Sequence, residues 1–66
     1  MDFGAALKAM KKGKKATRKN WQHAHIMIAQ KKTETDPPPR IVTEETGVVW
    51  FANQGDLLAE DWEIVT

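Results

Sequence analysis

Apolar and polar positions alternate with two different periods along this chain. Phe3, Ala6, Leu7 and Met10 recur at i, i+3, i+4 and i+7, which is one stripe of a helix. Asp2 is a good N-cap, Lys8, Lys11 and Lys12 take the other face and last turn, and Gly13 sits where a left-handed cap residue would. The spacing therefore predicts a short helix over residues 3–12, docked by its stripe on a sheet. Ala16 and Thr17 allow a short strand leading to Trp21. Residues 23–30 read as a strand with Ala24, Ile26 and Ile28 on the core face and His23, His25 and Met27 on the other. Residues 31–36 are a polar loop, and Pro37-Pro38-Pro39 is stiff, extended and unable to donate ladder hydrogen bonds. Residues 40–43 make a short strand, and 44–47 a hairpin turn with Gly47 supplying positive φ.

The last third organises the rest. Val48, Trp50 and Ala52 fall on one side of an extended strand, Val49 and Phe51 on the other, so this strand is expected to be covered on both faces. Asp56 is expected to cap a single helical turn through Leu57, Leu58 and Ala59, and Trp62 and Ile64 to close the fold as a strand. The predicted class is α+β: an N-terminal helix packed on a small, mostly antiparallel sheet, with a short helical turn before the last strand.

At 66 residues the chain is expected to be one domain, 1–66. Such a chain buries only about 60% of the surface its unfolded form exposes. It has no cysteine, three tryptophans and two phenylalanines. Much apolar surface without a disulfide points to oligomerisation and to a cytosolic home. No stretch is long and apolar enough to span a membrane, and the start lacks the basic and apolar regions of a signal peptide.

Charge divides the chain in two. Residues 1–33 hold nine of the ten Lys and Arg with one acid, Asp2; residues 34–66 hold eight of the nine acids with one base, Arg40. The halves carry +8 and −7. They can compensate within the fold or between subunits, or leave a basic face for phosphate.

Candidate chemistry lies around the indoles. Trp21 follows Arg18 at i+3, which suits a stacked base beside a phosphate, or else an indole filling a small core. Trp50 and Trp62 have apolar strand neighbours that favour core or subunit interface, although Trp50 is also a candidate ligand contact. Phe3 and Gly4 open the helix, where free amides suit phosphate and glycine admits close approach; the alternative is plain packing. Asn53, Gln54 and Asp56 can hold ribose hydroxyls and a base edge, or serve as cap and turn. Lys8, Lys11, Lys12, Lys14, Lys15 and Lys19 can bind a nucleic-acid backbone, or be a solvated face.

His23 and His25 lack the further partners a zinc site needs. Glu60 and Asp61 point apart and make a poor acid–base pair. No Ser–His–Asp set, phosphate-cradling glycine loop or H-E-x-x-H is present. The chain is not expected to be an enzyme, and no catalytic residue, metal or cofactor is assigned.

Two motif sets at the ends carry a resemblance. Phe3-Gly4, Ala6-Leu7, Met10-Lys11, Gly13-Lys14, Ala16, Arg18 and Trp21 open the chain; Trp50, Asn53-Gln54 and Asp56-Leu57-Leu58-Ala59-Glu60-Asp61-Trp62 close it. In this the sequence resembles the small bacteriophage proteins of the Thoeris anti-defence sponge family, second type. It departs from them at Asn20, where many members have glycine, and at Phe51-Ala52-Asn53, where many have a residue, proline and serine.

The resemblance implies an anti-defence protein that binds and sequesters cyclic nucleotide immune messengers without cleaving them. It names glycocyclic ADP-ribose, with cyclic oligonucleotides of CBASS and other systems as further ligands. It also implies a homo-oligomer, typically a homotetramer, with pockets between subunits, acting in the cytoplasm of the infected host. The ligand-binding set is then Phe3, Gly4, Arg18, Trp21, Trp50, Asn53, Gln54 and Asp56. The alternative from the residues alone is a small basic nucleic-acid-binding accessory protein.

Overall fold

A computed structural model describes residues 1–21 and 24–65. Its elements are α1 (Phe3–Lys11), β1 (Lys15–Arg18), β2 (Ile26–Ala29), β3 (Arg40–Thr43), α2 (Gln54–Leu58) and β4 (Trp62–Val65). The fold is α+β, as its periodicities predict. The four strands lie in the order β3-β2-β1-β4, and every named pair is antiparallel.

The first helix forms for the expected local reasons. Asp2 Oδ1 accepts from the Ala5 amide at 2.8 Å. At the other end Gly13, at φ +92°, donates to Met10 O, and Lys14 reaches back to Ala9 O. These two bonds satisfy carbonyls that the helix would otherwise leave open. Ala6 and Met10 are buried on the face that meets the sheet, with Phe3 and Leu7 packed beside them.

Register then decides what the helix covers. Ala16 pairs with Ile26 on one side and Ile64 on the other, and Ile26 pairs with Thr43. Directly opposed residues share a face, so Ile64, Ala16, Ile26 and Thr43 form one row across the sheet. Ala6, Met10, Ala16, Ile26 and Trp62 make the buried core over that row.

Three expectations are corrected or shortened. The stretch 48–52 is not a strand sheltered on both faces. Thr43 N donates to Val48 O and Trp50 N to Ile41 O, both at 2.9 Å, around one bridge between Val42 and Val49. The chain then leaves the sheet, because Trp50 must turn onto the core and Asn53 must reach the start of α2. Phe51 is left 85% exposed and Val48 61%. The helical turn also begins earlier than predicted: Asn53, not Asp56, is its N-cap. Finally, β2 is the shorter segment Ile26–Ala29; Ala24 and His25 precede it outside the ladder, and His23 lies outside the described residues. Among the described residues no helix is long and apolar enough to cross a membrane.

Candidate functional site

Four rings meet where α1, the end of β1, the 48–53 segment and β4 converge. Trp62 is the hub, with centroids 5.2 Å from Trp21, 5.3 Å from Phe3 and 6.0 Å from Trp50. Phe3 stacks on Trp50 at 5.9 Å, and Trp21 meets Trp50 edge-on at 6.1 Å. Tilted and edge contacts of this kind match the positive edge of one ring to the negative face of another. Trp62 is 1% exposed, and its Nε1–H donates to Asp56 O at 2.9 Å. It is a core residue. Phe3, Trp21 and Trp50 are half-buried, so each presents part of a ring outward.

Beside Trp21 and Trp50 lies an open hollow of about 270 Å³, completed by Ala24, Ile26 and Thr43. Its walls are mostly apolar. Ala24 is fixed there because Thr17 Oγ1 donates to its carbonyl at 2.6 Å.

A polar network holds the adjoining α2 segment. Asn53 Oδ1 accepts from the Asp56 amide at 2.8 Å, and the Asp56 carboxylate turns back toward the Asn53 amide at 3.5 Å. This reciprocal arrangement is a capping box. The same Asp56, only 7% exposed, receives Arg18 Nη1 at 3.0 Å. Arg18 Nε donates to Asp61 at 2.9 Å. Arg18 therefore clamps two carboxylates of the C-terminal third to the end of β1. Its single positive charge is more than offset by these two carboxylates of the same chain.

The ion pair makes folding acid-sensitive. Hydrogen bonding to Arg18, reinforced by its charge, holds the Asp61 carboxyl below its ordinary range; the same bonds raise Arg18. Asp36 is also held low, first by the amides of Lys32 and Thr33. The unfolded chain takes up these protons near pH 4, whereas the folded chain resists until lower pH. This stabilisation is present above the unfolded value and is lost as pH falls through the folded ones. Melting temperatures measured from pH 6 to pH 2 should drop below about pH 4, and D61N should make that drop shallower. An equally steep drop in D61N would detach Asp61 from acid stability.

The eight candidate residues divide by position. Phe3, Trp21 and Trp50 come together in the ring cluster, with Gly4 exposed next to Phe3. Among the described residues a Cβ on Gly4 would meet only Asp2 Oδ1, at 3.5 Å, an ordinary contact that does not require glycine there. Arg18, Asp56 and Asn53 form the clamp, and Gln54 is exposed at the first position of α2. Sequence reasoning missed Asp61 as a clamp member, and Ala24, Ile26 and Thr43 as walls. Asp61 precedes Trp62, which pairs with Arg18 in the ladder, so a correct register would have found it. Thr43 shares a strand face with Ile41, a signal visible in the alternation of 40–43.

A family model for the Tad2-like domain, described as the Thoeris anti-defense 2-like domain, matches residues 1–65. The chain belongs to that family. This Tad2-like protein therefore has an anti-defence role, and its family is described by that role rather than by a reaction. No curated protein matches it. The match runs through the middle of the chain as well as through the two motif-bearing ends.

Proposed function

We propose that this protein captures a cyclic nucleotide immune messenger, of the glycocyclic ADP-ribose type, and holds it uncleaved. The observation that carries this reading is the Trp21–Trp50 hollow, an aromatic recess in a chain of an anti-defence family. A base can stack on the half-exposed Trp21 indole, a contact worth about 1–3 kcal/mol. Asn53 has its Oδ1 occupied by the cap, which leaves its amide nitrogen and the exposed Gln54 side chain to meet ribose hydroxyls or phosphate. Arg18 and Asp56 act by fixing that segment. Phe3 braces Trp50, and Gly4 leaves the surface beside it open.

The hollow falls just below the roughly 300–1,000 Å³ typical of a complete small-molecule site, so one chain supplies a partial pocket. Phe51 and Leu58 are 85% and 80% exposed, apolar surface of the kind that partner subunits cover. Both features support a homo-oligomer, a tetramer in this reading, with pockets completed between copies. The site of action is the cytoplasm of the infected host, where such messengers are made. Capture without turnover requires tight binding, with Kd near nanomolar, about −12 kcal/mol.

The competing reading, nucleic-acid binding through the lysine face, has less support. The groove beside Lys8, Lys12 and Lys14 is floored by Ala5, Ala9 and Ile64 and offers no ring on which a base could stack. Calorimetry with glycocyclic ADP-ribose and cyclic di-AMP separates the two. Saturable binding, little weakened by salt, with unchanged nucleotide recovered on heating, is the expected result. No heat with either nucleotide, or a cleaved product, would end the capture reading.

A further inference from the structure

Among the described residues the ring hollow contains one side-chain hydroxyl, that of Thr43, and its position breaks the pattern around it. Thr43 ends the cross-strand row Ile64–Ala16–Ile26–Thr43, on the face that packs under α1 and the tryptophans. The other three members are apolar, and Ala16 and Ile26 are fully buried. Valine would fit this place as well by shape and strand preference. Local departures from an otherwise consistent pattern concentrate at functional positions.

The backbone of Thr43 is fully engaged. Its amide donates to Val48 O at 2.9 Å, and its carbonyl accepts from Gly47 N at 2.7 Å. These two bonds close the hairpin and hold the Thr43 backbone in place. Among the described residues, no group hydrogen-bonds the Thr43 hydroxyl, although it lines the hollow with Trp21, Trp50, Ala24 and Ile26. The wall atoms around it are mainly carbon. A flat heterocycle seated against the indole would thus meet this hydroxyl as the polar side-chain group, among the described walls, that lies outside the indoles themselves.

The geometry points to Thr43 as the specificity-determining residue of the hollow: its hydroxyl hydrogen-bonds the polar edge of a purine stacked on Trp21. This rests on the capture reading and adds to it which edge of the ligand is read, and by what. Stacking is tolerant of base identity, because every base has a π-face. A hydroxyl in mostly apolar surroundings discriminates, since a ligand that covers it without pairing it forfeits the hydrogen bond the hydroxyl makes to water.

The test is calorimetric titration of wild type, T43V and T43S with glycocyclic ADP-ribose and cyclic di-AMP. T43V keeps the volume and removes the hydroxyl; T43S keeps the hydroxyl and removes the methyl. The expected result is binding about tenfold weaker in T43V, the scale of one hydrogen bond, with T43S within about threefold of wild type on the same scale. Circular dichroism should show both variants folded, because neither change disturbs a backbone bond. Wild-type binding with T43V unchanged overturns the assignment, as does equal weakening in both variants, which would mean that the methyl packs and the hydroxyl does nothing. Silence of the wild type with both nucleotides overturns the capture reading itself, and this assignment with it.

Discussion

Trp62→Ala is expected to destabilise the protein severely. The indole is 1% exposed, touches the other three rings and donates to Asp56 O. Removing a buried tryptophan costs about 3–5 kcal/mol. A domain of this size has a total stability of about 3–10 kcal/mol, so the substitution removes a large share of it. The loss is more than volume. Phe3, Trp21 and Trp50 pack against Trp62 from different elements, and without it only the Phe3–Trp50 and Trp21–Trp50 contacts remain in the ring cluster. Trp62→Phe should retain the fold but lose about 1 kcal/mol, because the Asp56 carbonyl gives up its buried partner. Urea unfolding followed by circular dichroism measures both. A Trp62→Ala protein as stable as wild type would show that the ring cluster is not the core.

Trp21→Ala is expected to weaken messenger binding by about 10- to 100-fold, the equivalent of one lost base stack of about 1–3 kcal/mol. Trp21 is only half-buried, so the fold should survive with a lowered midpoint. Trp21→Phe should recover part of the affinity, since a smaller ring still stacks. Calorimetry at matched folded concentration separates the effects: a stability change alone lowers the active fraction, whereas a lost stack raises Kd. Unchanged Kd in Trp21→Ala would place the ligand elsewhere.

The fold was legible where local chemistry and tertiary need agreed. The Asp2 cap, the Phe3–Met10 stripe and the positive φ of Gly13 all favour the same helix, and it forms there. The turn at Gly47, with φ +71°, likewise follows from residue type. The 48–52 segment reads as a strand by alternation, yet only Val49 pairs. Strand propensity there loses to the demands of Trp50 and Asn53, which the sheet edge cannot satisfy together. The short helix was displaced for a related reason. Both Asn53 and Asp56 are good caps, and Asp56 is drawn inward by Arg18, a partner 38 residues away. Long-range ion pairs of this kind leave no periodic trace in a sequence. Arg18 itself shows the same limit: a cation before an indole suggests phosphate, but the register of β1 with β4 supplies two carboxylates first.

The ring residues were easier to find than their arrangement. Phe3, Trp21 and Trp50 stand out by composition in so short a chain, and they do gather. Which ring would be sealed and which would face outward depends on packing. Val48, Phe51 and Leu58 face outward, and no periodicity in the sequence separates them from the residues that are sealed.

Native mass spectrometry of the protein mixed with glycocyclic ADP-ribose tests the central claim most directly, because it weighs the assembly and its cargo together. The account predicts a multimer carrying whole, unmodified nucleotide in a fixed ratio to its subunits. A 7.5 kDa monomer with no nucleotide attached would contradict it.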